Sequence, residues 1–165
     1  MLNLSGLWGG TRQPRNWIER VAKTKEQLAE KTSLHMIHGQ DVARGIMALL
    51  GEGGFTKGER WMLTDMFVYD WWALALGWGN GGGGGGGGAT SGVPGGVSDG
   101  VAGGSGSEIR SGDADTQGPH AVWVRELMVE RGVRALPRDA DTLGRCYDSR
   151  EFWERFGIAP VRARI

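Results

Sequence analysis

Side chains able to do chemistry are few in this sequence, and their spacing limits what they can do. His35, His38 and Asp41 are residue types that bind zinc. On a strand over 34–38, however, residues three apart point to opposite faces and the two rings diverge. The trio therefore reads as a strand end followed by a helix cap, with no metal assigned. Cys146 is the single cysteine. It lacks the neighbouring His and orienting group that a thiol nucleophile needs, and reads as a packed thiol. No disulfide can form within the chain, which fits a reducing compartment and a cytoplasmic location. Lys57 precedes Gly58, whereas a phosphate-cradling loop needs glycine, then Lys and Ser or Thr, opening a helix. Neither paired carboxylates nor a serine triad emerges from spacing, so no catalytic residue is assigned.

The elements that position these groups follow from periodicity. Residues 1–5 read as a short strand running into a loop at Trp8 to Arg12. Ile18, Val21, Ala22, Leu28 and Ala29 recur at helical spacing and predict one amphipathic helix over 16–31, interrupted by the charged run at Lys23 to Lys25. After the strand at 34–38, Asp41 is placed to cap a helix that Gly51 ends, and Gly51 to Gly58 reads as a turn. Residues 59–64 alternate as a strand with Trp61 and Leu63 on one face. Residues 68–78 read as a helix apolar nearly all round and therefore buried. That makes Trp71, Trp72 and Trp78 core residues in preference to a recognition surface. Pro119 opens a further helix, which Gly132 stops. A last helix is expected from a capping box of Asp148 and Glu151, burying Phe152, Trp153 and Phe156 and ending at Gly157. Alternation of this kind predicts an α/β layer architecture.

Composition divides the chain into two materials. Of 31 glycines, 18 lie between Gly79 and Gly118, a stretch without any of the 14 aromatic residues. Such a segment gains too little apolar burial to offset its ordering entropy, and 79–118 is expected to be a disordered Gly-rich insert. Its run of glycines from Gly81 to Gly88 matches any nucleotide fingerprint trivially. The expected organisation is 1–78 as an α/β unit and 119–165 as a helical subdomain packing on it. That length excludes a large enzyme with full cofactor and substrate domains. With 19 basic and 19 acidic residues, charge excludes a nucleic-acid surface. No apolar run approaches the ~20 residues of a membrane span, and Met1 to Gly10 lacks a signal-peptide pattern.

Three segments carry a resemblance. Leu2-Asn3-Leu4-Ser5-Gly6-Leu7-Trp8-Gly9-Gly10-Thr11-Arg12, then Leu34-His35-Met36-Ile37-His38-Gly39-Gln40-Asp41-Val42-Ala43, then Arg145-Cys146-Tyr147-Asp148-Ser149-Arg150 through Phe156-Gly157-Ile158-Ala159-Pro160 resemble, in order, motifs from the C-terminal half of the extended short-chain dehydrogenase/reductase family. That family writes them as an apolar strand with Tyr-Gly-Pro, as Ile-His-Val-x-Asp-Val-Ala, and as a basic strand, capped helix and Gly-aromatic-x-Pro. Gly58 to Trp78 is similar to its intervening strand and helix.

The resemblance implies the C-terminal portion of an NAD(P)-binding Rossmann-like fold with a small substrate subdomain. In the complete family, NAD or NADP and a small-molecule substrate serve an epimerase, dehydratase or reductase reaction. By the same resemblance Ser5, Gly6 and Leu7 would lie near the nicotinamide, Arg12 in the loop toward substrate, and His38 and Asp41 in a structural motif. Gly6 stands where nucleotide-sugar enzymes commonly place a substrate-binding Asn, which argues against that substrate. The family's Gly-rich nucleotide turn and its Tyr-x-x-x-Lys pair are missing: Tyr69 is followed four residues on by Ala73, and Tyr147 by Glu151. The expectation is a chain truncated at its N-terminus, not competent for catalysis alone, with a sheet edge open to a partner chain or to self-association. The competing reading is a free-standing, Trp-rich protein-binding module that takes no nucleotide.

Overall fold

A computed structural model describes residues 1–51, 58–79 and 118–165. Most of the expected turn over 51–58 and of the expected insert over 79–118 lies outside the described residues, as does Lys57. The fold is mixed α/β, with small sheets.

Residues 2–8 form one extended segment that changes partner at Ser5. Its first half, β1 (Leu2–Leu4), pairs in parallel with a strand over Trp61–Leu63, Leu2 opposite Trp61. Its second half, β2 (Gly6–Trp8), pairs in parallel with one over Met36–His38, Gly6 opposite Met36 and Trp8 opposite His38. The Ser5 amide donates to the Leu63 carbonyl at 3.1 Å and the Gly6 amide to that of His35 at 2.9 Å; the Asp65 amide donates to Met36 at 2.8 Å. The strand at 36–38 is thereby wedged between β2 and the chain leaving Leu63. The strand expected over 34–38 is in fact two, β3 (Ser33–Leu34) and β4 (Met36–His38), broken at His35. The strand at Trp61–Leu63 is β5, and β3 pairs antiparallel with β6 (Tyr69–Asp70).

The helices follow their caps more closely than their apolar periodicity. The single helix expected over 16–31 is a 3-10 turn at Pro14–Trp17, α1 (Ile18–Val21) and α2 (Lys25–Ala29). Thr24 Oγ1 accepts the Gln27 amide and starts α2 afresh, which is why the stripe breaks there. In α3 (Gly39–Leu50) the cap is His38, whose Nδ1 accepts the Gln40 amide at 3.0 Å; Asp41 lies inside the first turn and does not cap. Gly51 ends α3 in an extended conformation (φ −68, ψ 174), not a left-handed one. The apolar helix begins later than expected, as α4 (Trp71–Gly79), because Asp70 accepts the Trp72 amide and 69–70 is strand. After α5 (Pro119–Glu130) and α6 (Ala140–Leu143), the last helix is α7 (Arg150–Arg155). No capping box forms there, since Asp148 turns to the Arg150 amide and guanidinium. Gly157 does take the left-handed conformation, with φ +60.

Two apolar clusters hold these elements. One joins Ile18, Ala22 and Leu28 to Trp71, Trp72 and Ala75 of α4 and to Val124 and Leu127 of α5. The other joins Ile37, Trp61 and Leu63 of the strands to Phe152 and Trp153 of α7. Full burial of a residue such as Leu28 or Leu63 contributes about 2 kcal/mol. Trp71 and Trp72 are therefore core, with Trp72 Nε1 donating to the Leu28 carbonyl.

Candidate functional site

The partner change at Ser5 leaves a pocket of about 380 Å³ beside the sheet, lined by Leu4, Ser5, Gly6, Ser33, Leu34, His35, Arg145 and Tyr147. Three stretches distant in sequence meet there: the β1–β2 junction, the β3–β4 break and the segment between α6 and α7. No carboxylate lines it among the described residues, and Arg145 is its one permanently charged side chain.

His35 organises the pocket. Its Nε2 accepts the Tyr147 amide at 3.0 Å, and its ring lies 4.5 Å from that of Tyr147. An imidazole nitrogen that accepts carries no proton, so the neutral ring bears its hydrogen on Nδ1. Burial, with Arg145 nearby adding repulsion, holds His35 below the ordinary histidine range. Arg145 reaches the Tyr147 hydroxyl at 3.4 Å. The Ser5 and Ser33 hydroxyls are shielded from solvent and have no partner among the described residues. The donors gathered here suit an anionic or hydroxyl-rich small molecule.

The residues singled out by motif are placed unequally. Ser5 and Gly6 line the pocket. Leu7 does not; it packs against the cluster of Ile37, Leu63 and Phe152. Arg12 is exposed on a turn where its amide and carbonyl pair with those of Gly9, and it does not line the pocket. His38 caps α3 and meets Trp8 edge-on at 4.7 Å. Asp41 is fully buried and accepts the amides of Val161 and Arg162, both at 2.9 Å, while Arg44 bridges Asp41 and the Ala159 carbonyl. His35 and His38 have separate partners, and no metal-holding cluster occurs among the described residues. Cys146, expected to be packed, is exposed. His35, Ser33, Arg145 and Tyr147 were not indicated as site residues by spacing, because only tertiary folding brings 33–35 to 145–147.

Apart from the pocket, Asp65 and Tyr69 form a partly buried pair. Tyr69 donates its hydroxyl to Asp65 and accepts the Arg164 amide at 2.9 Å. Burial raises both groups: Asp65 lies above the ordinary carboxylate range, and the Tyr69 phenol well above its own. Tyr69 holds the C-terminal backbone, Asp65 holds Tyr69 and the Phe67 amide, and neither lines the pocket.

No family model, curated protein or solved structure matches the chain. Among the described residues no helix is long and apolar enough to cross a membrane.

Proposed function

We propose that this chain is the substrate-side part of an NAD(P)-dependent epimerase, dehydratase or reductase of the extended short-chain dehydrogenase/reductase type. The observation that carries this reading is the convergence of the separate motif segments. The strands of the first two pair in parallel and in register through Gly6 and Met36, and Asp41 of the second binds the backbone just after the third, at Val161 and Arg162. Such cross-bracing holds Asp41 and Val161, 120 residues apart in the chain, in one unit.

On this reading NAD or NADP presents its nicotinamide near Ser5 and Gly6, and the pocket holds a small anionic or hydroxyl-rich substrate through Arg145, Tyr147 and the Nδ1 hydrogen of His35. The Gly-rich nucleotide turn and the Tyr-x-x-x-Lys pair are not among these residues, so the chain supplies substrate binding and not the hydride chemistry. A Cβ at position 6 would lie 2.6 Å from Met36 Sδ and 3.1 Å from the His35 carbonyl, so the Asn that nucleotide-sugar enzymes use there would crowd the β2–β4 pair. The competing reading, a Trp-rich binding module, is weakened by the burial of Trp71 and Trp72, which leaves no surface for them to offer.

Amide-shift titration of the labelled chain with inorganic phosphate and with acetate tests the pocket. Shifts at Ser5, Gly6, His35 and Tyr147 that disappear in Arg145→Ala support the reading, and shifts scattered over exposed lysines and arginines oppose it.

A further inference from the structure

The segment between α6 and α7 is tied firmly at both ends and lightly in between. Leu143 is buried at one end, and Gly144 follows it with φ +78. Ser149 is buried at the other, where its hydroxyl and that of Thr64 lie 2.8 Å apart and Trp153 Nε1 donates to it at 3.2 Å. Residues 144–148 between these anchors are all exposed. Among the described residues, the hydrogen bond from that span to the rest of the fold is the Tyr147 amide on His35 Nε2, beside which the two rings lie tilted with centroids 4.5 Å apart. The segment has room on both flanks, the pocket on one side and a cavity of about 270 Å³ bounded by Met66 and Cys146 to Arg150 on the other.

We propose that His35 is a latch that seats Arg145 and Tyr147 over the pocket when neutral and releases them when protonated. An imidazolium has no lone pair for the Tyr147 amide, so protonation converts the single tether into two opposed N–H groups. It also places a second positive charge beside Arg145. Among the described residues, the charged or titratable groups lining the pocket with His35 are Arg145 and Tyr147; Leu4, Ser5, Gly6, Ser33 and Leu34 bring none, and Arg145 is the charge that acts on the ring, so no carboxylate in the pocket offsets the new charge. Seated, the segment leaves the Ser5 and Ser33 hydroxyls of the same pocket without partners, a cost that hydration of the open pocket would relieve. Neutral His35 is favoured by its burial, so the latch is closed near neutrality and opens as pH falls below the ordinary histidine value. The consequence for substrate entry rests on the function proposed above; the latch itself does not.

Amide and imidazole shifts of the labelled full chain, followed from about pH 8 to about pH 5, test the proposal. The Tyr147 amide should titrate with the midpoint of the His35 ring, and its hydrogen exchange, corrected for intrinsic pH dependence, should rise about tenfold. In His35→Gln, whose amide oxygen accepts without titrating, the Tyr147 amide should stay protected at the acid end. In His35→Phe, which keeps the ring contact alone, it should be unprotected throughout. A Tyr147 amide that ignores the titration of His35, or a Gln variant that opens with the wild-type midpoint, overturns the latch. Coupling of His35 to Tyr147 without a phosphate or acetate response at Ser5 and Gly6 keeps the latch and defeats the substrate reading. The reverse pattern defeats the latch alone.

Discussion

Met36 occupies the space a side chain at position 6 would need: a Cβ built on Gly6 lies 2.6 Å from Met36 Sδ and 3.1 Å from the His35 carbonyl. The thioether could yield, but the carbonyl already accepts the Gly6 amide and is fixed by the sheet. Gly6→Asn should therefore destabilise the fold by about 2 kcal/mol through overpacking. Part of that loss should disappear in a Met36→Ala background, where the thioether is gone. Denaturant melts of the two single variants and the double variant check this, and strictly additive effects would show that the two positions do not compete for space.

Asp41 ties the start of α3 to the last residues of the chain. Asp41→Ala removes the acceptor of two amides and the ion-pair partner of Arg44, which keeps its bond to the Ala159 carbonyl. The expected loss is about 3 kcal/mol, with faster hydrogen exchange at Val161 and Arg162 in particular. Uniformly faster exchange across the whole chain would mean that the tail contacts are incidental.

Arg138 and Asp70 form a buried ion pair at 2.7 Å, with the guanidinium 4.0 Å above the Trp72 ring and a further bond to the Lys31 carbonyl. Removing either partner alone leaves a buried charge and should cost about 3–5 kcal/mol. Arg138→Lys should recover little, since an ammonium cannot make the forked contact or stack on the indole. Equilibrium unfolding of the three variants measures this directly, and a Lys variant as stable as wild type would refute it.

Two buried groups give stability opposite dependences on pH. His35 is held below its unfolded value, so the unfolded chain binds the proton more readily, and stability declines as pH falls below about 6.5. Asp65 is held above its unfolded value, so its folded form keeps a proton that the unfolded form has lost, and stability declines as pH rises above about 4 through its folded value. His35→Gln should flatten the first slope and Asp65→Asn the second, as read from melting temperatures across that range. A slope unchanged in its own variant contradicts the assignment.

Where the sequence was legible, a local signal matched the tertiary demand. The alternation at 59–64 gave a strand with Trp61 and Leu63 buried, and Pro119 and Gly132 bracketed α5. Where it misled, a side chain had been recruited over long range. The strand breaks at His35 because its two halves pair with different strands, β3 with β6 and β4 with β2, while the His35 side chain serves Tyr147, and Asp41 does not cap because it serves Val161 and Arg162. Thr24 and Asp70 instead start helices by local bonds that apolar periodicity does not register. The pocket itself was half visible: Ser5, Gly6, His35, Arg145 and Tyr147 lay in separate motifs and Ser33 in none, and only folding made them neighbours.

The account turns on whether the β1–β2 junction faces a nicotinamide. Titrating the labelled chain with nicotinamide riboside, with adenosine as a control that shares the ribose and likewise carries no phosphate for the pocket to bind, asks this most directly. The account predicts weak but saturable shifts at Ser5 and Gly6 with the nicotinamide compound and none there with the adenine compound. Equal responses to both, or silence at Ser5 and Gly6 with either, would contradict it.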